Sequence, residues 1–191
     1  MHGNLDALER ALSRLTAAGA ERLAFLGDYL GRGDSDACVR RIREVGDVAV
    51  VGNRDLDWQH RVAVETRDWV LGLPHSATIG PLLLAHGDPR LTRTLSTQQI
   101  GRNFTEAWRE LDTRGCQILA FGHSHHARVW RKPTAHDPPE LLGEPKLWID
   151  SRYRYFVNVG TTGLPFPGKG PPSVALIDLA SGYVQTLPVE E

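Results

Sequence analysis

A mixed α/β fold is what this 191-residue sequence predicts, and three observations carry the prediction. Helix-period and buried-strand segments alternate through the opening part of the chain, the rhythm of a parallel sheet wrapped by helices. The closing part instead reads as short antiparallel strands separated by polar turns. Between these, strand after strand stops at a polar residue beside a glycine.

The elements follow in order. Leu5, Leu8, Leu12 and Leu15 recur at helical spacing between Asn4, a suitable N-cap, and Gly19, suited to the position just past a helix end. Residues 22–26 read as a short buried strand ending at Gly27-Asp28. Residues 34–45 form a second helix with Cys38, Val39, Ile42 and Val45 inward, and residues 47–51 a strand ending at Gly52-Asn53. A helical segment over 64–71 precedes a hairpin, 75–79 with 82–85, turning at Gly80-Pro81 and leading into His86-Gly87-Asp88. A helix over 97–114 has a capping box in Ser96 and Gln99 and a stripe of Ile100, Phe104, Ala107, Trp108 and Leu111.

Residues 117–121 are a strand ending at Gly122-His123-Ser124-His125. Antiparallel strands follow at 128–131, 146–149, 155–159, 173–179 and 183–187, the last two joined by Ser181-Gly182. Residues 132–145 carry four prolines (Pro133, Pro138, Pro139, Pro145) and read as an exposed loop. Trp130 and Trp148 lie in strands and are expected in the core or an interface.

Bulk properties narrow the function classes. The length suits one domain, residues 1–191, with a core of its own. A net charge of −1 argues against a broad nucleic-acid surface or a polybasic membrane anchor. The longest apolar runs are too short to span a bilayer, and no signal peptide is recognised at the start. Two cysteines without a CxxC spacing fit a reducing compartment, so a cytoplasmic location is expected.

The strand ends carry the chemistry. Asp28, Asn53, His86, His123 and His125 all sit just past the C-terminal end of a strand, the edge of an α/β sheet where loops converge on ligands. Singly, Asn53 reads as an Asx-turn residue, Asp28 as a cap and His86 as a loop histidine. Jointly they make an N/O donor set suited to Mn, Fe, Zn or Ni. A carboxylate can bridge two ions through its two oxygens, and two ions ~4 Å apart activate water against phosphorus. No GxSxG motif and no cysteine beside a histidine offers a side-chain nucleophile.

Taken in order, His2-Gly3-Asn4, Gly27-Asp28, Gly52-Asn53, His86-Gly87-Asp88 and Gly122-His123-Ser124-His125 resemble the motif series of the calcineurin-like metallophosphoesterases. In that family the motifs are D-x-H-G-N, G-D-x-x-x-R-G, G-N-H-D, H-G and G-H-x-H. Asn158-Val159-Gly160-Thr161 resembles the family's N-P-G-S segment. The resemblance implies a two-sheet β-sandwich flanked by helices. It assigns one divalent ion to His2, Asp28 and His125, and a second to Asp28, Asn53, His86 and His123. Manganese is the first expectation, with Fe, Zn or Ni as alternatives. The implied activity is hydrolysis of a small phosphate monoester or diester by a metal-bound hydroxide.

Two positions depart from the pattern. The aspartate of D-x-H has no counterpart, because Met1 stands directly before His2. The first strand, which would carry that aspartate, is expected to be lacking, and a start codon assigned inside the motif is the expected cause. Arg54 stands where the family has a histidine that protonates the leaving group. Arginine keeps its proton, so it can stabilise phosphate charge but cannot act as a general acid. Arg54, Arg32 and His126 are the expected phosphate-side residues, while His60, His75 and His136 are expected on the surface. The competing expectation is a metallophosphoesterase-fold scaffold with a protein partner, and a third is an enzyme acting on nucleotide or dinucleotide phosphates.

Overall fold

The computed structural model describes residues 1–89 and 100–189, with side chains from 104 onward in the helix that begins at Ile100. In chain order the elements are α1 (Leu5–Ala17), β1 (Ala24–Phe25), α2 (Ser35–Val45), β2 (Val48–Ala49), α3 (Asn53–Trp58), a 3-10 turn (Gln59–Arg61) and α4 (Val64–Leu71). There follow β3 (Ser76–Ile79), β4 (Leu82–Ala85), α5 (Ile100–Thr113), β5 (Ile118–Phe121), β6 (Arg128–Lys132), β7 (Glu140–Leu142), β8 (Lys146–Trp148), β9 (Arg154–Asn158), β10 (Ser173–Asp178) and β11 (Tyr183–Pro188).

One layer is a six-stranded sheet in the order β3-β4-β5-β9-β6-β7. Its centre, β4-β5-β9, is parallel, and its margins are antiparallel. Both faces are covered, so β4 and β5 are apolar at every position rather than at every second one. The period of two still decides which side chain goes where. Leu83, Ala85, Leu119, Phe121 and Phe156 pack under α5 with Phe104 and Leu111. Leu82, Leu84, Ile118, Ala120 and Val157 face the other layer, where Val50, Leu147 and Val184 meet them.

That other layer is in two pieces: the parallel pair β1-β2 and the antiparallel sheet β10-β11-β8. Between them lies a cavity of about 140 Å³ whose lining includes Ala24, Leu26, Val174 and Ala175, with Leu8, Leu12 and Leu15 of α1. Among the described residues β1 pairs only with β2, and β10 only with β11. The opposite margin of β1 therefore faces the cavity rather than another strand.

Local signals work where side-chain chemistry enforces them. Asn4 caps α1, its Oδ1 accepting from the Ala7 N–H at 3.0 Å, and Gly19 takes φ +81 beyond the other end. Asp34 is the cap of α2 rather than its first residue, accepting from the Ala37 N–H at 2.9 Å. The capping box at Ser96 and Gln99 and the first residues assigned to that helix lie outside the described residues.

Other expectations need correcting. The proline-bearing stretch after β6 is not all exposed loop: Glu140–Leu142 pairs with β6 as the outer strand of the sheet. Pro138 and Pro139 stand just before it, where a missing N–H costs no ladder bond. Lys132 is buried, with Nζ donating to the Ala135 carbonyl at 3.0 Å. Of the two strand tryptophans expected in the core or an interface, Trp130 is buried, whereas Trp148 is 65% exposed and lies against Tyr183 and beneath Lys146 on the β8–β11 surface. Helix α3, starting at Asn53, has no counterpart in the sequence pattern, because six residues with two aspartates give no helical stripe.

Candidate metal centre

The C-terminal ends of β1, β2, β4 and β5 meet at one place, and each delivers a polar side chain there: Asp28, Asn53, His86, and His123 with His125. His2 joins them from the chain start. Its backbone N–H donates to the Asp28 carbonyl at 2.8 Å, and the next N–H, of Gly3, donates to the Tyr29 carbonyl at 2.8 Å. Close approach requires glycine beside these residues. A Cβ on Gly31 would stand 2.1 Å from the His2 carbonyl oxygen, and one on Gly52 would stand 2.4 Å from Asp28 Oδ1.

Backbone conformation marks the same residues. Among the described residues, the non-glycine positions with left-handed φ are His2 (60°), Asp28 (58°), His123 (22°) and His125 (58°). Each such position costs about 1–2 kcal/mol for an L-residue, and strain of this kind concentrates where function requires it. All four belong to the ligand set chosen from sequence.

The side chains form two clusters that share one carboxylate. In the first, His2 Nε2 is 3.1 Å from His125 Nε2 and 3.8 Å from Asp28 Oδ2. In the second, His86 Nε2 is 3.4 Å from Asp28 Oδ1, 3.2 Å from Asn53 Oδ1 and 3.2 Å from His123 Nδ1. His123 Nδ1 lies 3.1 Å from the same Asn53 oxygen. Asp28 thus turns one oxygen toward each cluster, the arrangement a bridging ligand needs.

The donor set fits cations on electrostatic grounds. His86 Nδ1 is 2.7 Å from the Leu26 carbonyl and His125 Nδ1 is 2.9 Å from the Leu164 carbonyl. Each of those nitrogens must carry the ring proton, which leaves Nε2 of both histidines as a bare lone pair facing the cluster. In the second cluster that lone pair meets the oxygens of Asn53 and Asp28, and His123 can offer one proton among them. Acceptors converging this closely repel one another unless a positive ion lies between them. In the first cluster burial keeps both rings neutral: it is the main cause that lowers His2 to about 3, and it also lowers His125. Burial opposes ionisation of Asp28 too, while the Arg54 N–H donating to its Oδ1 favours the carboxylate.

Residues 1–182 match the calcineurin-like phosphoesterase superfamily domain. The chain belongs to that superfamily. An uncharacterized protein of Methanocaldococcus jannaschii is 25% identical over 209 residues, spanning all of this chain and 84% of that protein. A metallophosphoesterase crystal structure from Sphaerobacter thermophilus superposes with a TM-score of 0.79 at 24% identity, covering 97% of this chain and 83% of the other. A hypothetical protein from Pyrococcus horikoshii OT3 shares the fold at a TM-score of 0.66 and 15% identity, covering 98% and 84%.

Behind the candidate ligands stands a support to which the sequence pattern assigns no role. The Asp55 carboxylate is completely buried and accepts four backbone N–H groups: Asp28 at 3.0 Å and Gly52 at 2.8 Å on Oδ2, Tyr29 at 2.7 Å and Leu30 at 3.1 Å on Oδ1. It fastens the β1 and β2 loops to each other. Burial, then the charge of Asp28, pushes its pKa up to about 7 against the pull of those N–H groups. The signal was the aspartate three residues after Gly52, the position from which a carboxylate reaches back over a helix start. Asn158 supports the other side, its Nδ2 donating to Ser124 Oγ at 2.7 Å inside the Gly-His-Ser-His loop.

The three expected phosphate-side residues separate. Arg32 and Arg54 line one pocket of about 750 Å³ that also includes His2, and the Arg54 N–H donates to Asp28 Oδ1 at 2.8 Å. His126 is placed elsewhere: its Nε2 accepts from Arg128 Nε at 3.0 Å, and burial together with Arg128 and Lys169 lowers its pKa.

Proposed function

We propose that this superfamily member is a metal-dependent phosphoesterase acting on small phosphate esters, diesters in preference to monoesters. The observation that carries the reading is the shared carboxylate, with one Asp28 oxygen toward His2 and the other toward His86. His2, His125 and Asp28 would hold one divalent ion, and Asp28, Asn53, His86 and His123 the other. Such a pair supplies an activated water and neutralises charge on the phosphoryl oxygens. Manganese is the ion this donor set suits best in our reading, in a cytoplasmic protein.

The chain's own groups define the rest. Arg54 and Arg32 bring fixed positive charge to the pocket beside His2, which favours binding of a phosphate anion. Neither can release a proton at working pH, so the leaving group must depart without help from them. Activated diesters are therefore the expected substrates. Bis(4-nitrophenyl) phosphate should be hydrolysed by protein loaded with Mn²⁺ and not by chelator-treated protein. Failure to bind two ions per chain by elemental analysis would overturn the reading. Arg54→His should raise turnover of esters with poor leaving groups several-fold while changing the activated diester little; an unchanged ratio of the two rates would remove the assigned role of Arg54.

A further inference from the structure

The pocket that holds Arg32 and Arg54 has a second character. Besides the arginines it is lined by two aromatic side chains, Trp58 and Phe166. Phe166 is 46% exposed, so a good part of the residue stays outside the core. Its ring stacks on the imidazole of His125, with centroids 4.9 Å apart and planes inclined by 15°. The aromatic surface therefore begins directly beside one of the metal clusters.

The segment that carries Phe166 is held in place. Leu164 gives its carbonyl to His125 Nδ1 at 2.9 Å, and its own N–H lies 3.3 Å from Thr161 Oγ1. Pro165 and Pro167 flank the phenylalanine and fix two backbone angles around it. The Phe166 carbonyl closes a turn by accepting from the Lys169 N–H at 3.0 Å. Trp58, half-buried against the α2 core, has the Arg61 guanidinium 4.6 Å from its ring centroid, which fixes that ring as well. At about 750 Å³ the space holds far more than a phosphate group. Two acidic residues share the lining with the arginines: Asp34, whose carboxylate caps α2, and Asp6, in the first turn of α1.

Charge for a phosphate and a fixed flat ring within one pocket define a ligand with both parts. From this geometry we infer that the pocket takes a phosphate ester bearing a planar aromatic group of nucleobase size, with Phe166 as the stacking platform and Arg32 and Arg54 on the phosphate. Trp58 is the second aromatic wall. The inference rests on the phosphoesterase reading for its chemistry, yet binding tests it separately from turnover. The metal-loaded protein is titrated calorimetrically with adenosine 5′-monophosphate, ribose 5-phosphate and inorganic phosphate. The nucleotide should bind about tenfold more tightly than ribose 5-phosphate, the gain expected of one base–aromatic stack.

Phe166→Leu should abolish that preference, keep the affinity for inorganic phosphate, and leave the unfolding midpoint in place. Phe166→Trp should restore the preference. Equal affinity for the nucleotide and ribose 5-phosphate, or an equal loss for every ligand in Phe166→Leu, would overturn the inference even if the activated diester is hydrolysed. Nucleotide preference that depends on Phe166 supports it even if no ester is turned over, and in that case the hydrolase reading alone fails.

Discussion

The two halves of the candidate metal centre differ in what stands behind them. Asn53, His86 and His123 follow β2, β4 and β5, and the last two strands lie in the sheet centre buried on both faces. Their half offers two nitrogens and two oxygens once Asp28 Oδ1 is included. The other half offers two nitrogens and Asp28 Oδ2. One of its candidate ligands, His2, is held by backbone bonds to the Asp28–Tyr29 segment, beside the cavity that divides the outer layer. Coordination by four groups on rigid supports should outlast coordination by three, so the two ions are expected to bind with unequal affinity.

The change that breaks both halves at once is Asp28→Ala. It removes the shared carboxylate and should reduce diester hydrolysis by at least ~100-fold, with neither ion retained on desalting. Separating the halves is a sharper test. His86→Ala should eliminate the tighter phase of a calorimetric Mn²⁺ titration, whereas His2→Ala should eliminate only the weaker one. If both variants lose the same phase, the division of ligands between the two clusters is wrong.

Asp55 belongs to both halves, since it ties the Asp28 loop to the Gly52 turn. In Asp55→Asn either orientation of the amide sets its NH₂ against two backbone donors that now lack an acceptor. Unfolding free energy from urea denaturation should fall by about 3 kcal/mol, and metal affinity should fall in both phases. Loss confined to one phase would place Asp55 in one half alone.

The smallest effect is on pH dependence, read in chelator. A histidine whose folded pKa lies below its unfolded value binds its proton more readily when unfolded, so acid favours unfolding. For His2, at about 3 against 6.5, this contribution is present above pH 6.5 and is lost as pH falls toward 3. His125 acts in the same direction. Asp55 acts oppositely, because a carboxyl raised to about 7 makes the fold less stable as pH rises from 3.8 through 7. The His2→Gln variant should therefore lose less stability between pH 7 and pH 5 than the parent; an equal loss would mean that His2 is not a buried neutral ring.

Much of this could be read before any coordinates. Periodicity locates α1, α2 and most strands, because a stripe of leucines or a run of branched residues has one economical way to be buried. It failed at α3 and β7, which are short and polar and exist because of what they pair with: Asp55 over the loop N–H groups, and β6 beside Glu140–Leu142. Phe166 gave no sequence signal, since a phenylalanine between two prolines has no period to belong to.

By itself the sequence determined the chemistry available. Its order of aspartate, asparagine and histidines at strand ends named the donors, because local hydrophobic runs fix where strands stop. Tertiary structure alone decided how those donors are shared. The split of Asp28 between two clusters, the left-handed turns that aim four candidate ligands, and the Asp55 clamp all depend on contacts between residues far apart in the chain. So does the stacking of Phe166 on His125, which residue order could not reveal because loop packing brings the two rings together.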